Sequence, residues 1–108
     1  MINFWQNVQQ CRTELDHIQA VYNEWPQDKL AILAISWKQT PQDVQSFLNS
    51  KALTLPILLD ETGEVAEKYD VARSPVTLFI DAQGIIKDRK DYPFKTEAQI
   101  ESVLNSMQ

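Results

Sequence analysis

The single cysteine, Cys11, lies in the segment Asn3-Phe4-Trp5-Gln6-Asn7-Val8-Gln9-Gln10-Cys11-Arg12-Thr13-Glu14-Leu15. Its order reads as the end of a buried strand, a short polar loop, and a helix opening near the thiol. A thiol in the first turn of a helix is favoured as thiolate, because the helix dipole and the free N–H groups stabilise the anion. Thiolate is the form that attacks a disulfide, and a second thiol then resolves the mixed disulfide. This chain holds one cysteine. The segment therefore points to a redox-type site and leaves open whether Cys11 is a working centre. The only histidine, His17, falls beside the apolar stripe of the same helix, near its polar edge. It is read as a partly exposed surface residue in preference to a catalytic base.

Composition removes other chemistries. At 108 residues, 44% hydrophobic, the chain fits one globular domain with a real core. The net charge is −5 and the pI about 4.7, with no Lys/Arg run, so nucleic acid is not an expected partner. No apolar run approaches the roughly 18 residues of a membrane span, and no basic-then-apolar leader opens the chain. One Cys and one His cannot build a structural zinc site. Neither of the two glycines lies in a phosphate-cradling loop, so no nucleotide or other cofactor is expected.

The elements that must position the thiol are legible in the periodicity. Ile2 to Trp5 is apolar enough for an interior strand. Its abrupt start at Met1 suggests a trimmed or partial chain of a longer protein. The helix spans about Gln9 to Trp25, with Cys11, Leu15, Ile18, Val21, Tyr22 and Trp25 on one face, and Pro26 stops it. Leu30 to Ile35 is a continuous apolar run, the pattern of a strand covered on both faces. Thr40-Pro41-Gln42-Asp43 supplies an N-cap, a first-turn proline and an acid, with Val44, Phe47 and Leu48 inward. Leu55 to Asp60 reads as an edge strand because of Pro56. Gly63 to Tyr69 is a short helix with Val65, Ala66 and Tyr69 inward. Val76 to Ile80 is a strand, Asp81 to Gly84 a turn, and Ile85 to Lys87 an antiparallel return. Asp88-Arg89-Lys90-Asp91 reads as a solvated loop. Thr96-Glu97-Ala98-Gln99 is a capping box for a last helix whose face is Ile100, Val103, Leu104 and Met107. Parallel crossovers leading into a hairpin give a three-layer α/β/α domain over residues 1–108, with a mixed, mainly parallel central sheet and a C-terminal helix.

That element order resembles the thioredoxin superfamily. The resemblance is carried by Asn3-Phe4-Trp5, Cys11-Arg12-Thr13-Glu14-Leu15, Leu59-Asp60, and Ser74-Pro75-Val76-Thr77-Leu78-Phe79-Ile80-Asp81 with Gly84. Within the superfamily the chain is most similar to TlpA/ResA-like thiol–disulfide oxidoreductases and the neighbouring AhpC/TSA group. The β-hairpin that usually precedes the first strand in those families is missing. The resemblance implies two cysteines in a CxxC motif. Cys11 matches the resolving position, since Arg12, Glu14 and Leu15 match the family's residues on the C-terminal side of that cysteine. The attacking position falls on Gln9 when counted from Phe4-Trp5 and on Val8 when counted back from Cys11. The implied motif is degenerate, and weak or lost dithiol exchange is expected.

The resemblance also implies that Pro75 is cis and faces the cysteine motif, with Ser74 pairing through its backbone to an extended substrate segment. It places Gln39 where relatives carry a proton-relaying acid, which Gln cannot replace. Trp5, Val8, Gln9, Gln39, Ser74 and Pro75 are thus the candidate substrate-binding set, with Trp37 a further aromatic near the site. The implied partner is a protein thiol or disulfide, or an extended peptide. Relatives of this kind suggest a bacterial, extracytoplasmic setting. Two alternatives stand beside the oxidoreductase. One is a non-catalytic thioredoxin-fold binding or structural module. The other is a one-cysteine, peroxiredoxin-like peroxidase, because Cys11 to Leu15 also resembles C-P-T-E-L. That peroxidase needs a Thr where Val8 stands, and Val8 donates no hydrogen bond.

Overall fold

Side chains alternate across a strand, so Phe4 and Trp5 leave the first strand, β1 (Ile2–Trp5), on opposite faces. Both are fully buried, in two separate core clusters. The computed structural model describes residues 1–108, and β1 is the middle of its five-stranded sheet. The remaining elements are α1 (Gln9–Glu24), β2 (Leu33–Trp37), α2 (Pro41–Leu48), β3 (Ile57–Asp60), α3 (Glu64–Lys68), β4 (Val76–Ile80), β5 (Ile86–Lys90) and α4 (Glu97–Ser106). The strand order is β3-β2-β1-β4-β5. β1 pairs parallel with β2, and β2 parallel with β3; β4 runs antiparallel to both β1 and β5. This is the thioredoxin-like three-layer arrangement expected from the sequence.

The larger core joins Trp5, Ala34 and Phe79 of the sheet to Cys11, Leu15, Ile18 and Val21 of α1, Val44 and Phe47 of α2, and Ile100 and Leu104 of α4. The smaller joins Phe4, Ile35, Val76 and Leu78 to Ala66 of α3, with Tyr69 packed against it. Adjacent residues of one strand thus feed different layers, which is why the central strands read as unbroken apolar runs.

The helix ends obey their sequence signals. Thr40 accepts from the Asp43 N–H, and Thr96 from the Gln99 N–H, both at 3.2 Å. At α4 the return bond runs from the Lys95 N–H to Gln99 Oε1, at 2.8 Å. Gly63 leads into α3 at φ 84°, where any side chain would be strained and a Cβ would also meet Lys38. Asp60 at the end of β3 accepts from the Val65 and Ala66 N–H groups and so fixes the start of that helix.

Three expectations need correction. β2 runs Leu33–Trp37, not from Leu30, because its ladder begins where Ile2 of β1 stands opposite Leu33. Val65 is exposed; the short α3 turns Ala66 inward instead. Asp88 to Lys90 belong to β5, and only Asp91 lies beyond it. In that strand Arg89 reaches back to the Tyr69 and Asp70 carbonyls at 2.7 and 2.9 Å and clasps Asp91. His17 is half-buried as expected, held to Glu97 at 2.9 Å between α1 and α4.

Candidate functional site

α1 starts without a side-chain cap. Val8 is the N-cap residue, in extended conformation, and its carbonyl accepts the first helical bond from the Arg12 N–H at 2.9 Å. Cys11 therefore occupies the first turn, but on the inward face. It is a free thiol with no exposed surface, packed in the core that α1 shares with the sheet. Burial pushes its pKa up. The polar Gln6 backbone and Ser74 side chain nearby pull the other way, and the Glu14 carboxylate adds to the rise. A thiol so placed is closed to solvent and harder to deprotonate than a free one. The outward position of the same turn belongs to Val8, 42% exposed, with Gln9 and Gln10 exposed beside it.

Side-chain amides hold the loop before α1. Gln39 Oε1 accepts from the Asn7 N–H at 2.7 Å while its Nε2 donates to Ser36 Oγ at 2.6 Å. Arg12 donates to Asn7 Oδ1 at 3.1 Å and to Gln9 Oε1 at 2.8 Å. Gln6 bridges the two walls of the site. Its Nε2 donates to the Trp37 carbonyl at 3.1 Å, and its Oε1 accepts from Ser74 Oγ at 3.1 Å. Gln39 therefore braces the loop with an amide and offers no proton.

Between these walls opens a cleft of about 670 Å³ lined by Gln6, Val8, Gln9, Gln10, Trp37, Ala72, Arg73 and Ser74. The Ser74–Pro75 bond is cis and leads into β4. The backbone N–H and C=O groups of Ala72, Arg73 and Ser74 make no hydrogen bond within the protein. Of the candidate residues, Val8, Gln9 and Ser74 line this cleft and Gln39 supports it from behind. Pro75 is buried next to Ser74. Trp5 corrects the expectation: it is fully buried and packs against Phe47 with ring centroids 5.2 Å apart and planes tilted by 44°, so it is core and does not line the cleft. Trp37 is the aromatic wall instead.

Glu14, which the sequence offers only as a motif match beside Cys11, is a further residue of the site. It is fully buried, accepting from Asn3 Nδ2 at 2.9 Å and from the Phe94 N–H at 2.8 Å. Asn3 Nδ2 also donates to Thr77 Oγ1 at 2.9 Å, so one polar network ties β1, α1, β4 and the segment before α4. Burial raises the Glu14 pKa; the bonds from Phe94 and Asn3 and the nearby His17 oppose this. Its signal was spacing: position i+3 from Cys11 returns to the same buried face of a helix.

Comparison with known proteins agrees with this fold. The AhpC/TSA family model matches residues 1–89. The thiol-disulfide oxidoreductase ResA of Oceanobacillus iheyensis is 33% identical over 89 residues, covering 82% of this chain and 46% of that protein. The sporulation thiol-disulfide oxidoreductase A of Bacillus subtilis is 28% identical over 101 residues, covering 90% of this chain and 61% of that protein. The crystal structure of StoA from Bacillus subtilis superposes with a TM-score of 0.83 at 28% identity, covering 94% of this chain and 78% of that one. The chain thus spans between about half and three-fifths of the length of the first two.

Proposed function

The chain belongs to the AhpC/TSA family, as a thioredoxin-like protein of thiol–disulfide oxidoreductase kind with one cysteine, and from that premise we propose that it has given up dithiol exchange and keeps the cleft to dock an extended peptide. Exchange needs an exposed thiolate to attack and a second thiol to release the product. Cys11 is the only thiol, has no exposed surface, and is made less acidic by burial. Neither Val8 nor Gln9 can replace the nucleophile. The same facts weigh against a peroxidase, whose cysteine must reach peroxide.

Docking is supported by the backbone of Ala72, Arg73 and Ser74, unpaired inside the molecule and bordering an open cleft. A short run of free N–H and C=O groups is what an extended peptide uses when it adds alongside a protein strand. Opposite it, the amides of Gln6, Gln9 and Gln10 offer donors and acceptors, and Trp37 offers an apolar wall. Protein is the class of partner that the family implies.

The test measures both halves. Neither the protein nor its Cys11→Ser variant is expected to accelerate insulin reduction by dithiothreitol. Titration of the ¹⁵N-labelled protein with a panel of cysteine-free extended peptides is expected to shift amides clustered at Gln6–Gln10 and Ala72–Ser74. A reductase rate in the native protein that vanishes in Cys11→Ser overturns the reading. So does a panel that leaves those amides unmoved.

A further inference from the structure

Charge around the cleft is distributed against the sign of the molecule, which carries a net −5. Of the ten lysines and arginines, Lys51, Lys87, Arg89 and Lys90 are in ion pairs with carboxylates. Of the other six, Arg12, Lys38 and Arg73 stand in the cleft wall or directly beside its lining residues. Arg73 lines it. Arg12 stands one helical turn on from Val8, bonded only to the neutral groups of Asn7 and Gln9. Lys38 Nζ lies over the ring of Trp37, 5.2 Å from its centroid. No aspartate or glutamate lines the cleft, and the first turn of α1 contains no acid. The carboxylates of Glu67 and Asp70 line the neighbouring hollow, and Asp91 lies close enough to Arg73 to feel its charge. Lys38 lines that hollow with them and Asp91 offsets part of the charge of Arg73, so the rim is partly balanced by acids that all stand outside the cleft.

We propose that the cleft selects an extended polypeptide segment of a partner protein bearing at least one aspartate or glutamate, docked along Ala72–Ser74 with its acid toward Arg73 and Arg12 or Lys38. The inference rests on the docking function above and narrows its ligand. Alternate side chains of an extended peptide point to the same side. One residue therefore faces the amides and Trp37 while a neighbour two positions on meets a cation at the rim. The three cations are held near the surface, so each contributes modestly, and together they set preference more than raw affinity. Like-charged segments, Lys- or Arg-rich, are rejected by the same groups.

A display library of random decapeptides, panned on the folded native protein, tests this. The controls are Arg73→Gln, Lys38→Gln and the double variant. Neither side chain makes a hydrogen bond within the protein, so each variant is expected to fold, and circular dichroism checks it. The expected result is acidic enrichment on the native protein that the double variant loses. A selected acidic decapeptide is expected to bind each single variant about two- to fivefold more weakly, and to weaken further as salt rises. Its Asn/Gln counterpart is expected to bind native and variant proteins alike. Enrichment without acidic bias, or an acidic peptide indifferent to both substitutions, overturns the acid preference and leaves peptide docking standing. A library that yields no binder mapping to Gln6–Gln10 and Ala72–Ser74 overturns docking itself.

Discussion

Restoring a cysteine at Val8 tests whether the site is intact apart from its nucleophile. Val8 caps α1 and Cys11 lies three residues on. Helix geometry, with about 100° and 1.5 Å per residue on a roughly 2.3 Å radius, separates their Cα atoms by about 5 Å. That lies inside the roughly 4.4–6.8 Å range of disulfides. Val8→Cys should therefore form an intramolecular bridge under mild oxidant, read by mass spectrometry as the loss of two hydrogens. Closing so short a loop removes about 2 kcal/mol of unfolded-state entropy. For a domain of this length that amounts to about 8 °C in Tm. The new thiol would be exposed at an uncapped helix start, where the dipole supplies about 0.3–2 kcal/mol in favour of the anion. At about 1.36 kcal/mol per pKa unit this lowers its pKa from about 8.5 toward about 7 at most. The thiolate fraction at neutral pH then rises up to about fifteenfold, and alkylation with iodoacetamide across pH reads it. Gln9→Cys is the contrast. Two residues apart on a helix, its side chain points away from Cys11 and no bridge should form. A bridge in Gln9→Cys and none in Val8→Cys would refute the register on which the degenerate-motif reading depends.

The core makes further outcomes measurable at three residues, Glu14, Trp5 and Cys11. Because burial raises the folded-state pKa of Glu14 above its ordinary value of 4.5, the unfolded chain ionises first as pH rises. Its stabilising effect is whole below about pH 4.5 and fades through the higher folded value; urea midpoints from about pH 4 to 8 should show that fall, and Glu14→Gln should flatten it. Glu14→Leu should cost about 1–3 kcal/mol, since the Phe94 N–H and Asn3 amide lose their acceptor. Trp5→Ala should cost about 3–5 kcal/mol through the cavity beside Phe47. Trp5→Phe should cost less, because the indole N–H has no acceptor in the protein and its removal recovers that penalty. Native Cys11 should alkylate only as fast as the structure opens, and urea should accelerate the reaction at fixed pH; a native rate equal to that of a small free thiol would overturn its burial.

The place of Arg89 in β5 has a consequence for the cleft. Its guanidinium ties that strand to the carbonyls of Tyr69 and Asp70, shortly before Ala72–Ser74. The free backbone there is presented by a segment anchored at its start by Arg89 and at its end by the entry to β4.

Local signals determined a great deal of this protein. The Thr40 and Thr96 caps, the apolar β1 and β4, the 3.6-residue stripe of α1 and the turn at Asp81–Gly84 are all decided by residues a few positions apart, and all stand in the fold. So is the absence of the attacking cysteine, which counting alone exposes. Tertiary structure decided the rest, because it depends on what lies opposite. Leu30 to Ile32 are as apolar as any strand, yet the paired stretch of β2 starts at Leu33, opposite Ile2. Trp5 and Trp37 are both aromatics at strand ends, and only packing against Phe47 makes the first core while Trp37 faces the cleft. Glu14 looks like a surface acid until Asn3 and the Phe94 N–H, distant along the chain, enclose it. Cys11 keeps the sequence position of a redox thiol, but its reactivity is a matter of solvent and field. Those come from Leu15, Ser74 and Glu14 closing around it, which no count along the chain contains.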